Sequence, residues 1–565
     1  MSLNNKGNAP LPLAAFSVGI VGHRPDRLAD TGKIAEQIGN LLSVIESAIS
    51  DLSPGSAARA ECRIRLVSAL AEGADRIAAH VALRQGKALV AVLPFPAEVY
   101  EGDFVDEASR REFRDLLEAA NSTIVLDGTT EARERAYDRA GLLLLDNVDL
   151  LIAVWDGGPG RGRGGTREVI EEAARRSVPL VTISPDGLTV ELCSSGPEAP
   201  AMRFADVSRR PVADVPALVA SLLGQTGDKA RERDWQWLQQ TPRFGMAQGA
   251  YPLLLRLAGG SARRKVAVEA SSPVPQDGLS EAFAWWDRAA VAAAQAFRSA
   301  VIMNFALAAL AVVLSAASLL AGHAKWILVA LEIATILMLL VHNAMARRQA
   351  WQDRWLESRE VAEMLRVTIL RRMVGIGRTS GGTGLTGRYV AAWARAADPL
   401  TLDLSEPQKA GRAAIEQVRE QAEWNAATAH RMHRAAHRIE RFGEVLFATV
   451  LVAAIGWLAI YYIRPDLGTM LKYPLTAITA GLPAVATSSY GIRVIIDFEG
   501  IAERAQRVAD RLFTLLARLE EGEAASGSPG ADQLQHFARA ASAAMIADVA
   551  AWRLLAEGRR LTIPG

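Results

Sequence analysis

The chain has 565 residues, with 63 Lys and Arg against 62 Asp and Glu. That length allows two or three domains, and the near-neutral balance provides no global basic field for nucleic acid. Only Cys62 and Cys193 are present, which excludes a disulfide framework and fits a reducing compartment. The opening MSLNNKGNAPLPLAAFSVGIVG lacks the basic head and small-residue cleavage site of a signal peptide, so the first domain is expected in the cytoplasm.

From residue 16 to 184 short apolar runs alternate with amphipathic stretches. The runs at 16–21, 64–68, 88–93, 123–126, 150–155 and 178–183 read as strands, and 33–50, 74–85, 107–119, 132–145 and 167–176 as helices. Such alternation predicts right-handed βαβ units, hence an α/β, Rossmann-like, mainly parallel sheet over residues 1–186. Residues 187–278 are irregular, with short helices expected at 217–223 and 231–240 and a linker at 259–278.

The rest of the chain reads as an all-α membrane domain. Four apolar segments, 300–320, 326–345, 445–463 and 473–492, are each close to bilayer length, giving four expected transmembrane helices in two hairpins. Charged helices flank them: 279–298 leads into the first, 347–374 leaves the second, 416–441 enters the third and 497–521 leaves the fourth. The order helix, two spans, helix therefore occurs twice, dividing the region into units 279–387 and 388–565. Arg288, Arg298, Arg347, Arg348, Arg434, Arg438, Arg441 and Arg493 all lie at one end of the spans. By the positive-inside rule both termini are expected to be cytoplasmic.

Three strand ends in the first domain carry unusual residues, and in an open parallel sheet that edge is where ligands bind. The first is Gly22-His23-Arg24-Pro25, in which the planar fork of Arg24 can clamp a phosphate or carboxylate, or be a solvated turn residue. The second runs Ser68-Ala69-Leu70-Ala71-Glu72-Gly73-Ala74-Asp75; its small residues allow close approach, and Glu72 or Asp75 can accept ribose hydroxyls, although Asp75 also suits the first turn of a helix. The third follows Trp155 and Asp156, where a turn rich in glycine ends in Gly164 and Gly165 and opens a helix at Thr166, expected as its N-cap. Backbone N–H groups backed by a helix dipole make this an anion cradle, and the expected anion is a nucleotide phosphate.

GHRP, SALAEGAD, LPFPAEVYEGDF and WDGGPGRGRGGTREV, each after a strand, resemble the SLOG superfamily, the Rossmann-like group similar to cytokinin-activating LOG enzymes, DprA and the N-terminal region of TRPM channels. The resemblance covers about residues 16–185 and implies binding of a nucleotide or NAD-derived small molecule; some relatives hydrolyse nucleoside monophosphates. The LOG enzymes carry PGGxGTxxE, whereas this chain has RGGTREV, with Val169 where the catalytic Glu would stand and Glu168 one residue early. That departure favours sensing. A hydrolase using Glu168, Glu171 or Glu172 remains the alternative.

The membrane half resembles SLATT-type effectors in its ESREVAEMLR and EQAEWNAATAHRMHRAAHRIERFGEVLF helices. This implies a bacterial conflict-system protein of the inner membrane, which forms pores or disrupts the bilayer as a homo-oligomer once its sensor is engaged. Glu332 lies about two turns into the second span, where a carboxylate faces a pore, a partner or the outer interface. Gly481 and Pro483 interrupt the fourth span, and His80 reads as structural. No zinc spacing, P-loop, catalytic thiol or Ser-His-Asp arrangement stands out, so no metal or cofactor is expected beyond the nucleotide signal.

Overall fold

The computed structural model describes residues 9–51, 63–158, 164–194, 202–223, 249–259, 277–378, 384–526 and 530–557. Its first part is an α/β sheet built from the expected alternation. The strands are β1 (Ala15–Gly22), β2 (Arg63–Ser68), β3 (Ala88–Leu93), β4 (Ser122–Val125), β5 (Leu150–Val154) and β6 (Leu180–Ile183). Between them run α1 (Thr31–Asp51), α2 (Ala74–Arg84), the single turn α3 (Ala97–Tyr100), α4 (Glu107–Glu118), α5 (Arg133–Leu145) and α6 (Thr166–Arg175). All six strands are parallel. Their continuous apolar runs fit a sheet covered on both faces.

The sheet is larger than the expected domain. Strands β7 (Val190–Cys193) and β8 (Arg209–Pro211) add an antiparallel ribbon on β6, followed by α7 (Val215–Leu222). On the opposite edge β9 (Leu402–Asp403), from the helical half, pairs with β4, so the order is β8-β7-β6-β5-β1-β2-β3-β4-β9. The helix expected at 231–240 and most of the linker lie outside the described residues.

The helical half contains α8 (Ala250–Ala258), α9 (Gly278–Ser318), α10 (Lys325–Arg348), α11 (Trp351–Arg372), α12 (Leu385–Ala396), α13 (Pro407–Ile463), the short α14 (Pro465–Met470), α15 (Lys472–Ile496), α16 (Phe498–Ser526) and α17 (Ala531–Glu557). Three helical stretches, not the expected four, are long and apolar enough to cross a membrane: Gly278–Ser318, Gly322–Arg372 and Pro407–Ile463. The fourth candidate does form a helix, α15. Its Thr476, Thr479, Thr487, Ser488, Ser489 and the internal Pro483 dilute the apolar run. Small residues instead seat it against its neighbours: a Cβ on Gly491 would lie 2.2 Å from the Phe305 ring of α9, and one on Gly443 of α13 would lie 3.3 Å from Ser489.

The two expected units share one arrangement. In the first, α9 pairs with α10, the chain reverses at Ala350 (φ 46), and α11 returns along α9. In the second, α13 pairs with α15, the chain reverses at Asp497 (φ 61), and α16 returns along α13. A non-glycine residue in the left-handed region ends a helix sharply, and in each case a buried aromatic follows, Trp351 or Phe498. The expected continuous helix over 347–374 is therefore broken at Ala350.

Sheet and helices share a core. One face packs Val67, Val92 and Leu151 with Val361, Leu365, Leu512 and Leu534 of the helical half; the other packs β1 and β2 on α1 and α2. Polar contacts join the helical half to the strands' N-terminal ends. Arg395 Nε meets Asp149 Oδ1 at 2.6 Å, Arg63 meets Asp398 at 2.6 Å, and Ser122 Oγ donates to Leu400 O at 3.3 Å. The candidate site lies at the strands' other ends.

Candidate functional site

Because the chain runs β1 to β4 outward on one side and resumes with β5 on the other side of β1, the topology switches between β1 and β5. Two of the three expected strand ends flank this point, where open α/β sheets hold ligands. The Thr166 hydroxyl donates to Gly22 O at 3.0 Å, and His23 N donates to Val154 O at 3.1 Å. The buried His23 ring places Nε2 at 3.1 Å from Asp156 Oδ1 and 3.2 Å from the Asp156 amide. A neutral Nε2 accepts from the amide, and a protonated one donates to the carboxylate. Arg27, which no sequence motif singles out, meets Asp156 Oδ2 at 2.5 Å. Partial burial raises the Asp156 pKa, but the Gly158 amide, His23 and Arg27 outweigh it and hold the carboxyl below its usual range. Trp155 donates to Gly158 O at 3.2 Å and meets the Phe204 ring edge-on.

Glycine is required where backbones converge. Gly73 has φ +99, and a Cβ there would lie 2.4 Å from His23 O. Its neighbour Ala74 donates its amide to that same oxygen at 3.2 Å, so the start of α2 is bonded to the end of β1. Gly164 has φ +79, and its Cβ would strike the Asp138 amide at 2.6 Å. Gly165, not the expected Thr166, is the N-cap of α6; Thr166 is the first helical residue. Glu168 N already donates to Gly165 O at 3.0 Å; the amides that precede it in the first turn suit an anion, as at any helix start. Residues 159–163 of the glycine-rich turn lie outside the described residues.

The second strand end divides. Arg24 is 53% exposed, faces Glu72 Oε2 at 3.7 Å and reaches the Tyr137 hydroxyl beside the switch point. Tyr137 and Asp103 bond each other, and Arg133 pairs with Asp103. Burial pushes the Tyr137 pKa up against the pull of Arg24 and Arg133. Asp103 sits in the LPFPAEVYEGDF segment, which carried this signal, while Tyr137 had none. The other half turns inward: Asp75 Oδ2 accepts from Ser68 Oγ and Ala69 N, both at 3.2 Å. Leu70, with φ 56, closes that turn by donating its amide to Ser68 Oγ at 3.0 Å. The Asp75 carboxyl thus fills its own nest of donors. Burial pushes its pKa up to about 7 despite those bonds.

The acids of the hydrolase reading are engaged elsewhere. Glu168 takes the Gly164 amide, Glu171 accepts from Phe204 N at 3.2 Å, and Glu172 meets Arg175 and Arg176, each at 2.6 Å. Val169 is buried and packs toward Gly141. His80 meets Glu112 at 2.8 Å on the outside of α2. Glu332 is half-buried on α10. Among the described residues no group of three or more His, Cys, Asp or Glu is placed to hold a metal.

No family model, curated protein or solved structure matches this chain.

Proposed function

We propose that the chain is a membrane effector whose α/β domain senses a nucleotide-derived ligand and, through the helices docked beneath it, gates a pore or disruption of a bacterial inner membrane. The carrying observation is the switch-point edge, where Gly22, His23, Asp156 and Thr166 interlock beside the half-exposed Arg24 and the start of α6. A phosphate held there would touch β1, α2 and α6 together. Those elements sit on a sheet whose opposite ends are bonded to Arg395, Asp398 and Leu400, so a change in their spacing reaches the helical half through rigid strands. By linkage, a ligand drives the membrane part only as far as it binds one arrangement more tightly.

The membrane role rests on three apolar helical stretches whose surfaces the chain itself leaves largely uncovered; none of the apolar window of Pro407–Ile463 is buried. Lipid, or further copies of the chain in a homo-oligomer, would cover them. Helix α15 returns the chain along α13 and α9, which in this reading leaves both termini on the cytoplasmic side. The SLOG-like and SLATT-like motifs support the same assignment. The engagement of Glu168, Glu171 and Glu172 favours sensing over hydrolysis. Flux from liposomes holding the full-length protein, challenged with a panel of nucleoside phosphates, tests it: one compound should raise flux and be recovered intact. Equal flux with every compound, or release of a free base, would sink the sensor reading.

A further inference from the structure

At the base of the membrane helices, α8, α9, α11, α13, α16 and α17 line a half-open cavity of about 280 Å³. It joins the two halves of the helical domain and lies far in sequence from the switch-point edge. Four guanidiniums line it, Arg298, Arg359, Arg431 and Arg504. Two of them are matched by acids: Arg359 meets Glu363 at 2.5 Å and Arg504 meets Asp497 at 3.0 Å. Among the described residues Arg298 and Arg431 have no such acid. Rings hold Arg298 instead, with its guanidinium 5.0 Å from the centroid of Tyr251 and 4.8 Å from that of Trp355, and Nη1 donating to the Tyr251 hydroxyl at 3.1 Å. Arg431 donates to Thr428 Oγ1 at 3.0 Å, and the Nε of each arginine is buried without a partner among the described residues.

Cation–π contact holds a guanidinium by its face, and apart from the Nη1 bond to Tyr251 no further bond of Arg298 to the described residues is seen. Asp548 also stands in the wall, within electrostatic reach of Arg504 and Arg359, and burial raises its pKa. Counting it with Glu363 and Asp497, three acids face four arginines. A partly buried cation without a counter-charge is costly, and this cluster carries a surplus of positive charge around one cavity.

The geometry points to a binding site for a phosphate-bearing anion, held by Arg298 and Arg431 and completed by Arg504. Forked donors match phosphate oxygens bidentately, as a point charge does not. The volume admits a phosphoryl group with a small organic part; the aromatic faces are already covered by guanidiniums, which leaves no slot for stacking a base. Arg298 stands two residues before the apolar run that begins at Ala300, which puts the cavity at the charged end of the membrane helices. The phosphate can thus come from an anionic lipid or from solution. Since α9 belongs to the first unit and α13 and α16 to the second, a bound anion ties the two units together.

The test uses full-length protein in detergent, titrated with inorganic pyrophosphate for the soluble source and dioctanoyl phosphatidic acid for the lipid one. Dioctanoyl phosphatidylcholine, whose phosphate charge is cancelled, is the control. Saturable binding of either anion is expected, weakened roughly tenfold to a hundredfold by Arg431→Gln, for loss of a charge-assisted contact. Lys409→Gln, at an exposed position outside the cavity, should leave it unchanged. Which anion binds names the source. Arg298→Gln is the second variant, and an unchanged melting temperature without ligand shows that either variant is folded. Absence of saturable binding by both anions, wild-type affinity in both arginine variants, or an equal loss of binding in Lys409→Gln would overturn the proposal.

Discussion

If the sheet transmits to the membrane helices, the ion pair at its lower end must be strong, and its strength can be worked from the structure. Arg395 Nε lies 2.6 Å from Asp149 Oδ1, with the side chains only 17% and 8% exposed. The second carboxylate oxygen accepts from Ser17 N at 3.0 Å. Replacing Arg395 by Ala leaves a nearly buried carboxylate with the Ser17 amide and, at longer range, Arg65 and Arg378. Breaking a fully buried pair costs about 3–5 kcal/mol, and water reaching the truncated site recovers part of it, so about 2–4 kcal/mol is expected. Asp149→Asn in the same cycle strands the guanidinium instead. The double variant should be less destabilised than the two singles added, with a coupling of about 1.5–3 kcal/mol. Urea unfolding of the detergent-solubilised protein, followed by tryptophan fluorescence, measures each arm. Additive effects, with coupling under about 0.5 kcal/mol, would refute the claim that this pair fastens the domains, and slower exchange of β1 amides in the variants would contradict it independently.

Asp75 predicts a pH effect. Its folded pKa is pushed up to about 7, whereas the unfolded value is about 3.9. Between these the folded state keeps a proton that the unfolded chain has released, so stability falls as pH rises from about 4 to about 7, by at most about 4 kcal/mol, and then levels off. Asp75→Asn should flatten that slope, and parallel melting curves for both proteins would remove the argument. Gly491→Leu should cost about 1–3 kcal/mol by overpacking, because a Cβ there already lies 2.2 Å from the Phe305 ring; an unchanged melting temperature would show that α9 and α15 do not cross there. In a background without Cys62 and Cys193, Cys at His323 or Thr469 should react with an impermeant maleimide added outside intact cells, and Cys at Glu520 should not. All three positions are exposed in the fold, whereas Gly468 is buried against Tyr461 and unsuitable. Labelling at Glu520 would contradict a cytoplasmic C-terminal half.

The βαβ core was legible because the strands are apolar runs, each followed within a few residues by glycine, proline or a charged residue, and the helices show their own period. Strand β9 was not, since two residues, Leu402 and Asp403, carry no period and pair only because tertiary packing delivers them to β4. The same holds for the exposed edge strand Arg209–Pro211. Ala350 gave no warning of a helix break, as alanine is the strongest helix former; the reversal there follows from packing α11 back onto α9. The site was half legible. Gly22, Gly73 and Gly164 showed in the sequence because close backbone approach admits nothing larger. The inward role of Asp75 and the capping role of Glu168 depended on which way each side chain turns, and the arginine-lined cavity draws its residues from six helices that no local pattern connects.

The central claim is that the switch-point edge holds a phosphorylated, nucleotide-derived ligand. Its most direct test is mass spectrometry of small molecules released from the full-length protein on denaturation, comparing wild type with Arg24→Ala and Thr166→Val. The full chain is needed because β7, β8 and β9 complete the sheet outside residues 1–186. The account predicts a nucleoside phosphate or NAD derivative from wild type, reduced about tenfold or more in Arg24→Ala through loss of a charge-assisted contact. Recovery of the same compound in equal amount from all three proteins, or of nothing that bears a phosphoryl group, would contradict it.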